Sequence, residues 1–311
     1  MKLLSGNSNR PLSEAIAAYL ETPLTSADVR RFSDMEVFVE IHENVRGEDV
    51  FIIQSTSSPA NDNLMELLVC IDALRRASAR RITAVLPYFG YARQDRKSGS
   101  RTPISAKLVA NLLKEAGASR LVSVDLHSGQ IQGFFEGPVD HLTAMPVLVD
   151  RLRSLEGDLS IVSPDAGRVK VAERYAIQLG ADLAIVHKRR SHSTFNTVEA
   201  KEVVGEVAGK VCVIVDDMID TAGTICAAAD QLTDRGASRV LAATTHGVFS
   251  GPAMERLAAS SIEKVIVTDT LPLPEGTDPD LVEVLSVAPL IAKAISAVFG
   301  DTSVSEIFGG D

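Results

Sequence analysis

The sequence predicts an α/β fold in which mostly parallel strands lie between layers of helices. Three observations carry that expectation. Short apolar runs alternate with amphipathic helical stretches along the whole chain. Several runs are apolar at every position, as strands covered on both faces are, and Val211-Cys212-Val213-Ile214-Val215 is the clearest. Polar and charged residues then gather just past the carboxyl ends of those runs, where open parallel sheets bind their ligands.

Strands are expected at 50–54, 81–86, 120–126, 159–163, 183–187, 211–215, 239–244 and 264–267, with a peripheral strand alternating over 36–41. Gly117-Ala118-Ser119-Arg120-Leu121 opens one strand, and Gly236-Ala237-Ser238-Arg239-Val240 opens another. Both strands reach a histidine near their end, His127 and His246. Such an echo fits two similar α/β halves, and we expect domains at 1–145 and 146–292, with a tail at 293–311.

The bulk numbers exclude several classes. A chain of 311 residues can bury two cores of ordinary size, and 45% hydrophobic with 23% charged residues is the balance of a globular protein. A net charge of −10 disfavours non-specific nucleic-acid or membrane-surface binding, so neither partner is expected. Cys70, Cys212 and Cys226 are odd in number and lack paired spacing, so they are expected to be reduced core residues of a cytoplasmic protein. Met1-Lys2-Leu3-Leu4 runs straight into polar Ser5-Gly6-Asn7, so no secretory leader is expected.

The densest chemistry follows the strand at 211–215. Asp216 and Asp217 cap its carboxyl end, and Asp220-Thr221-Ala222-Gly223-Thr224 turns into an apolar helix. Small side chains leave the N–H groups of that turn open, and a helix start adds partial positive charge, so the turn suits a phosphate. The two carboxylates can accept hydrogen bonds from vicinal sugar hydroxyls or hold a hydrated divalent metal. Earlier in the chain, Arg93 lies in a basic cluster, Tyr91-Ala92-Arg93-Gln94-Asp95-Arg96-Lys97, beyond a strand end and placed to meet a polyphosphate. Asp125 and His127 are two apart at a strand end and project to one side if the strand continues through them, where they could hold a metal directly or through its water. Asp165 follows another strand and is a further ligand candidate. Lys188-Arg189-Arg190 places three cations at a strand end, as in a loop that closes over an anion. Near the start, Phe32 could stack on a flat ring, while Asp34 and Glu36 point the same way if extended and could accept from an exocyclic amino group.

Four apolar residues followed by Asp-Asp-x-x-x-Thr-x-x-Thr resemble the ribose-phosphate loop of type I phosphoribosyltransferases and of ribose-phosphate pyrophosphokinases. The run Asp125-Leu126-His127-Ser128-Gly129-Gln130-Ile131-Gln132-Gly133-Phe134-Phe135 resembles the second group specifically. From Leu3-Leu4-Ser5-Gly6 to Ser305-Glu306-Ile307-Phe308, the chain resembles the phosphate-regulated, class I ribose-phosphate pyrophosphokinases.

That resemblance implies two domains of related type I phosphoribosyltransferase topology, a final helix returning to the first domain, and a homo-oligomer, usually a hexamer. It implies transfer of the diphosphate of ATP to ribose 5-phosphate, with Mg2+ as cofactor. Phe32, Asp34, Met35 and Glu36 would read the adenine across a subunit interface, and Arg93, Gln94 and His127 would contact ATP. Asp125, His127 and Asp165 would serve the metal. Lys188 and Arg190 would be the catalytic cations, and Arg190, Asp216, Asp217 and Asp220 to Thr224 would bind ribose 5-phosphate. Arg46, Ser78, Arg101, Ser303 and Ser305 would form a site for phosphate or ADP as effectors. Three positions depart from the usual pattern: Glu136, Gly167-Arg168-Val169-Lys170 in place of a Gly-Gly pair, and the loop after Arg190. Two rivals differ in class: a phosphoribosyltransferase would lack the run at 125–135, and a non-catalytic associated subunit would have lost the loop at Lys188.

Overall fold

A computed structural model describes residues 1–189 and 200–308. The chain packs as two compact units. The first comprises Met1–Ala144, Asp269–Pro272 and the residues from Ser286 onward, and the second Met145–Thr268 and Leu273–Leu285. The division at 144/145 lies one residue from the expected position. The return to the first unit starts at Ser286, ahead of the expected 293, because the whole of the last long helix packs there.

In the first unit the elements are β1 (Lys2–Ser5), α1 (Arg10–Tyr19), β2 (Ala27–Arg31), β3 (Val37–Ile41), β4 (Asp49–Ile53), α2 (Ala60–Arg76), β5 (Arg81–Leu86), α3 (Ser105–Ala116), β6 (Arg120–Val124) and β7 (Val139–Leu142). Five strands form a parallel sheet in the order β1-β4-β5-β6-β7. Successive side chains of a strand face opposite sides, and β4 shows the consequence. Val50 and Ile52 pack with Leu67, Ile71 and Leu74 of α2 and with Val109 and Leu113 of α3. Phe51 and Ile53 pack with Leu12 and Ile16 of α1 on the other face. Both faces are therefore covered, which is why β4 reads as an unbroken apolar run from Val50 to Ile53. The strands β2 and β3 pair antiparallel as a separate two-stranded sheet.

The second unit contains α4 (Met145–Leu152), β8 (Leu159–Ser163), α5 (Val169–Leu179), β9 (Asp182–Arg189), β10 (Ala200–Val204), β11 (Val211–Ile219), α6 (Gly223–Asp234), β12 (Arg239–Gly247), α7 (Ala253–Ala258), β13 (Lys264–Thr268) and β14 (Val282–Leu285). Its sheet runs β10-β9-β8-β11-β12-β13-β14, parallel except where β10 pairs antiparallel with β9. Helices α4 and α5 cover one face through Leu148, Leu152, Ala172 and Tyr175, against Val211, Val213 and Val215. Helices α6 and α7 cover the other through Ile225, Ala229, Leu232 and Leu257, against Cys212 and Ile214. From β8 the chain winds outward one way to β9, and from β11 the other way to β12 and β13. The reversal falls between β8 and β11, and ligands of such sheets bind in the crevice at the carboxyl ends there.

The last helix, α8 (Ala288–Phe299), belongs to the first unit, where Ile291 and Ile295 join the face that holds α1. Val304 and Ile307 pack against the same cluster, so the tail has a structural role in addition to any played by Ser303 and Ser305. Among the described residues, no helix is long and apolar enough to cross a membrane.

Candidate active site

The paired acids sit where the fold is most constrained. Residues Val211 to Val215 of β11 are all buried, and the strand continues through Asp216 and Asp217 to Ile219, past the expected end at 215. Alternation places Asp216 and Asp217 on opposite sides of the strand, yet both are largely enclosed, with side chains 17% and 9% exposed. Burial raises the affinity of Asp216 for a proton, and the neighbouring Asp217 carboxylate raises it further. Opposing them is Arg168, whose Nε lies 3.1 Å from Asp216 Oδ1 and whose Nη2 lies 2.6 Å from Asp217 Oδ1.

The candidate phosphate turn follows directly. Ala222 adopts φ +61°, in the left-handed region, and N-caps α6, so the chain reverses sharply before the first amides of the helix. The turn is tied from outside: the Ser250 amide donates to the Asp220 carbonyl at 3.0 Å, and Arg256 Nη1 donates to the Thr221 carbonyl at 2.9 Å. Thr221 and Thr224 are exposed, Asp220 and Gly223 half-buried, and Ala222 buried. The structure thus brings Asp216, Asp217 and the 220–224 turn together at one end of one strand. Arg256, on α7, was not singled out in the sequence, because nothing in Glu255-Arg256-Leu257 distinguishes it from a solvated helix charge.

Of the candidate catalytic cations, Lys188 has its backbone in β9, whose carboxyl end it approaches. Arg190 and the loop after it lie outside the described residues. Asp165 follows β8 and turns its Oδ1 back onto the chain, accepting from the amides of Gly167 at 2.7 Å and Arg168 at 3.2 Å.

In the first unit, β6 ends at Val124, so the expectation of a strand carrying Asp125 and His127 to one side is corrected. Asp125 enters the left-handed region at φ +38°, and its Oδ2 accepts the Ala144 amide at 2.9 Å. A short helical turn at Gly129–Gly133 then follows His127. Asp34 and Glu36 are likewise not extended. They lie in the turn between β2 and β3, where Asp34 Oδ1 accepts the Glu36 amide at 3.2 Å and Met35 takes φ +75°, because aspartate readily closes such turns. Asp34, Met35 and Glu36 are exposed at the hairpin tip, and Phe32 is also exposed. The Phe32 ring packs edge-on against Phe38 at 5.3 Å, and the Arg30 guanidinium lies over both rings. Arg93 is exposed within the long connection from β5 to α3, and Gln94 Oε1 accepts from Ser105 Oγ at 2.6 Å at the start of α3.

Arg46, Ser78, Arg101, Ser303 and Ser305 are all exposed on the first unit. The Gly47 amide donates to the Ser78 carbonyl at 2.9 Å, which makes Arg46 and Ser78 neighbours. An ion pair of Arg81 with Asp301, at 2.8 Å, anchors the start of the tail. Arg101 lies in a different loop, closed by Thr102 Oγ1 accepting the amides of Ser98 and Gly99.

Among the described residues, no three His, Cys, Asp or Glu side chains converge as a metal cage. Mg2+ usually keeps several waters and binds one or two carboxylates together with substrate phosphates. Single carboxylates just past strand ends, such as Asp125 and Asp165, fit a metal of that kind, carried in by a polyphosphate.

A parallel α/β scaffold with adjacent acids and a helix-capping turn at its switch point defines a sugar-phosphate-binding protein of the phosphoribosyl type. Residues 1–117 match the N-terminal domain of ribose phosphate pyrophosphokinase, and residues 196–309 match the phosphoribosyl synthetase-associated domain. Ribose-phosphate pyrophosphokinase of Granulibacter bethesdensis is 56% identical over 311 residues, covering 99% of this chain and 100% of its own. The enzyme of that name from Aquifex aeolicus is 54% identical over 99% of each chain. The crystal structure of phosphoribosylpyrophosphate synthetase from Mycobacterium smegmatis superposes with a TM-score of 0.91 at 49% identity, covering 96% of this chain and 99% of its own. The chain belongs to the ribose-phosphate pyrophosphokinase family.

Proposed function

We propose that the protein is a ribose-phosphate diphosphokinase, transferring the diphosphate of ATP to the 1-hydroxyl of ribose 5-phosphate and releasing AMP. The observation that carries the reading is the Asp216–Asp217 pair leading directly into the 220–224 turn, within a chain that belongs to this family along its whole length. The turn amides and the start of α6 take the 5-phosphate, and the carboxylates accept the ribose hydroxyls. The 1-hydroxyl oxygen bonds to the β-phosphorus of ATP and gives up its proton to solvent, while the bond from that phosphorus to the α,β-bridging oxygen breaks, so AMP leaves. Charge spreads over the transferring oxygens, and Lys188 and Arg190 are the cations that oppose it. Asp125 and His127 in the first unit, and Asp165 in the second, are each candidate ligands of Mg2+, which would neutralise the polyphosphate when bound. Arg93 and Gln94 meet the ATP phosphates, and Phe32, Asp34, Met35 and Glu36 meet the adenine of an ATP bound to a neighbouring subunit of a homohexamer. The protein works in the cytoplasm, and phosphate and ADP act as effectors at Arg46, Ser78, Arg101, Ser303 and Ser305.

The test is incubation with ATP, ribose 5-phosphate and Mg2+. AMP should appear in step with phosphoribosyl diphosphate and only when both substrates are present. ADP as the nucleotide product would contradict the reading.

A further inference from the structure

The acids assigned to ribose are already engaged. Arg168 reaches Asp216 Oδ1 through Nε and Asp217 Oδ1 through Nη2, and its own side chain is only 17% exposed. This bridge is built by the fold. Strands β8 and β11 are parallel neighbours, with Val162 beside Ile214, so the loop leaving β8 runs alongside the carboxyl end of β11. Asp165 shapes that loop by accepting the amides of Gly167 and Arg168, and Ser163 Oγ donates to the Asp165 carbonyl at 2.6 Å. Arg168 is then the N-cap residue of α5 and leaves the turn facing β11.

Two adjacent carboxylates in a largely enclosed site repel one another and need a cation within a few ångströms. A planar guanidinium can bridge two carboxylates with its rigid fork of donors, which a lysine ammonium cannot reproduce. A second cation in the same place would meet Arg168 itself.

We infer that Arg168 is a positioning residue for ribose: its guanidinium is the fixed counter-ion of Asp216 and Asp217, so these carboxylates accept the vicinal hydroxyls without a divalent cation between them. The inference rests on ribose 5-phosphate being the substrate. The metal that accompanies ATP is a separate matter.

The experiment is calorimetric titration of the full-length protein with ribose 5-phosphate, without nucleotide, in EDTA and in millimolar MgCl2. The wild type, Arg168→Ala and Arg168→Lys are compared, each checked for folding by circular dichroism. The wild type should bind in EDTA, with a Kd that Mg2+ changes by less than about threefold, under 1 kcal/mol. Arg168→Ala should bind at least about tenfold more weakly in EDTA and recover part of the loss in Mg2+, and Arg168→Lys should fall between them. In steady state, Arg168→Ala should raise KM for ribose 5-phosphate more than it lowers kcat.

Wild-type binding that is absent in EDTA would overturn the inference, because the metal would then be the counter-ion. Undiminished binding by Arg168→Ala in EDTA would overturn it too. Should Arg168→Ala not fold, the wild-type EDTA titration and Arg168→Lys decide, and a lysine variant equal to the wild type in EDTA contradicts the bridging role. Assaying AMP formation by the same wild-type protein separates the two readings. With no AMP the substrate assignment fails, and with AMP but either contrary titration only the role of Arg168 fails.

Discussion

Ala222 shows how a single backbone conformation shapes the proposed phosphate turn. Its φ of +61° is costly for a residue with a side chain, about 1–3 kcal/mol when β-branched or bulky, yet it turns the chain into the start of α6. Ala222→Val should therefore lower thermal stability by an amount in that range and raise KM for ribose 5-phosphate, whereas Ala222→Gly should keep both. Differential scanning fluorimetry with steady-state kinetics checks this, and an unperturbed valine variant would mean the turn tolerates other conformations. Lys188 belongs to the same scale. Loss of one preorganised cation should cost about 3–4 kcal/mol of transition-state stabilisation, roughly 10²–10³ in kcat, with little change in KM. A Lys188→Ala enzyme with near-normal kcat would remove the residue from the chemistry. The acids and the turn were legible in the sequence because order, spacing and chemistry had to agree over nine residues. Arg168 stood out only as a departure from a Gly-Gly pair, and its partners depend on which strands are neighbours, which spacing does not reveal.

Among elements, the strands buried on both faces were the easiest to read. Those at 81–86 and 159–163 match β5 and β8 end for end, because a continuous apolar run bounded by turn residues has few other uses. Missed were β1, β2, β7, β10 and β14, which are short or polar and lie at sheet edges or in the two-stranded sheet, where one face or one side stays open. The start of β4 carries a testable ion pair. Asp49 is held by Arg80 and Arg81 at 2.6 and 2.5 Å, and the hydrogen bonds from Arg81 and then Arg80 hold its carboxyl well below the usual carboxylate range. A depressed folded pKa contributes stability in full above the unfolded value near pH 4, and the contribution is lost as pH falls through the folded value. Because Arg80 and Arg81 are 61% and 41% exposed, solvent screening keeps the contribution small. Asp49→Asn should thus be less stable than the wild type at pH 7 in urea denaturation, and the gap should narrow below pH about 4. A gap that stays constant across that range would show that the charge is not responsible.

For the whole molecule, the proposed assembly and its regulation make predictions beyond one subunit. If the β2–β3 hairpin serves a neighbour's ATP, mixing inactive Asp34→Ala with inactive Lys188→Ala should restore some activity once subunits have exchanged. No recovery after demonstrated exchange would argue that each subunit completes its own site. If Arg46, Ser78, Arg101, Ser303 and Ser305 bind phosphate, activity at saturating substrates should rise with phosphate through a coupling of about 1–3 kcal/mol, and Arg101→Ala should blunt the rise. A flat response would take the protein out of the phosphate-regulated class. The two-unit plan was visible in the alternation of strands and helices and in the repeated Gly-Ala-Ser-Arg opening. The early return of the chain at Ser286 was not, because α8 is apolar enough to suit either core and only packing against α1 assigns it. The central claim is that the diphosphate moves intact to the sugar oxygen. Phosphorus NMR of the reaction with ribose 5-phosphate carrying 18O in its 1-hydroxyl tests it most directly. The account predicts AMP free of the label and a new diphosphate whose bridge to the sugar carries the 18O isotope shift. Label in AMP, or release of free pyrophosphate in place of a sugar diphosphate, would contradict it.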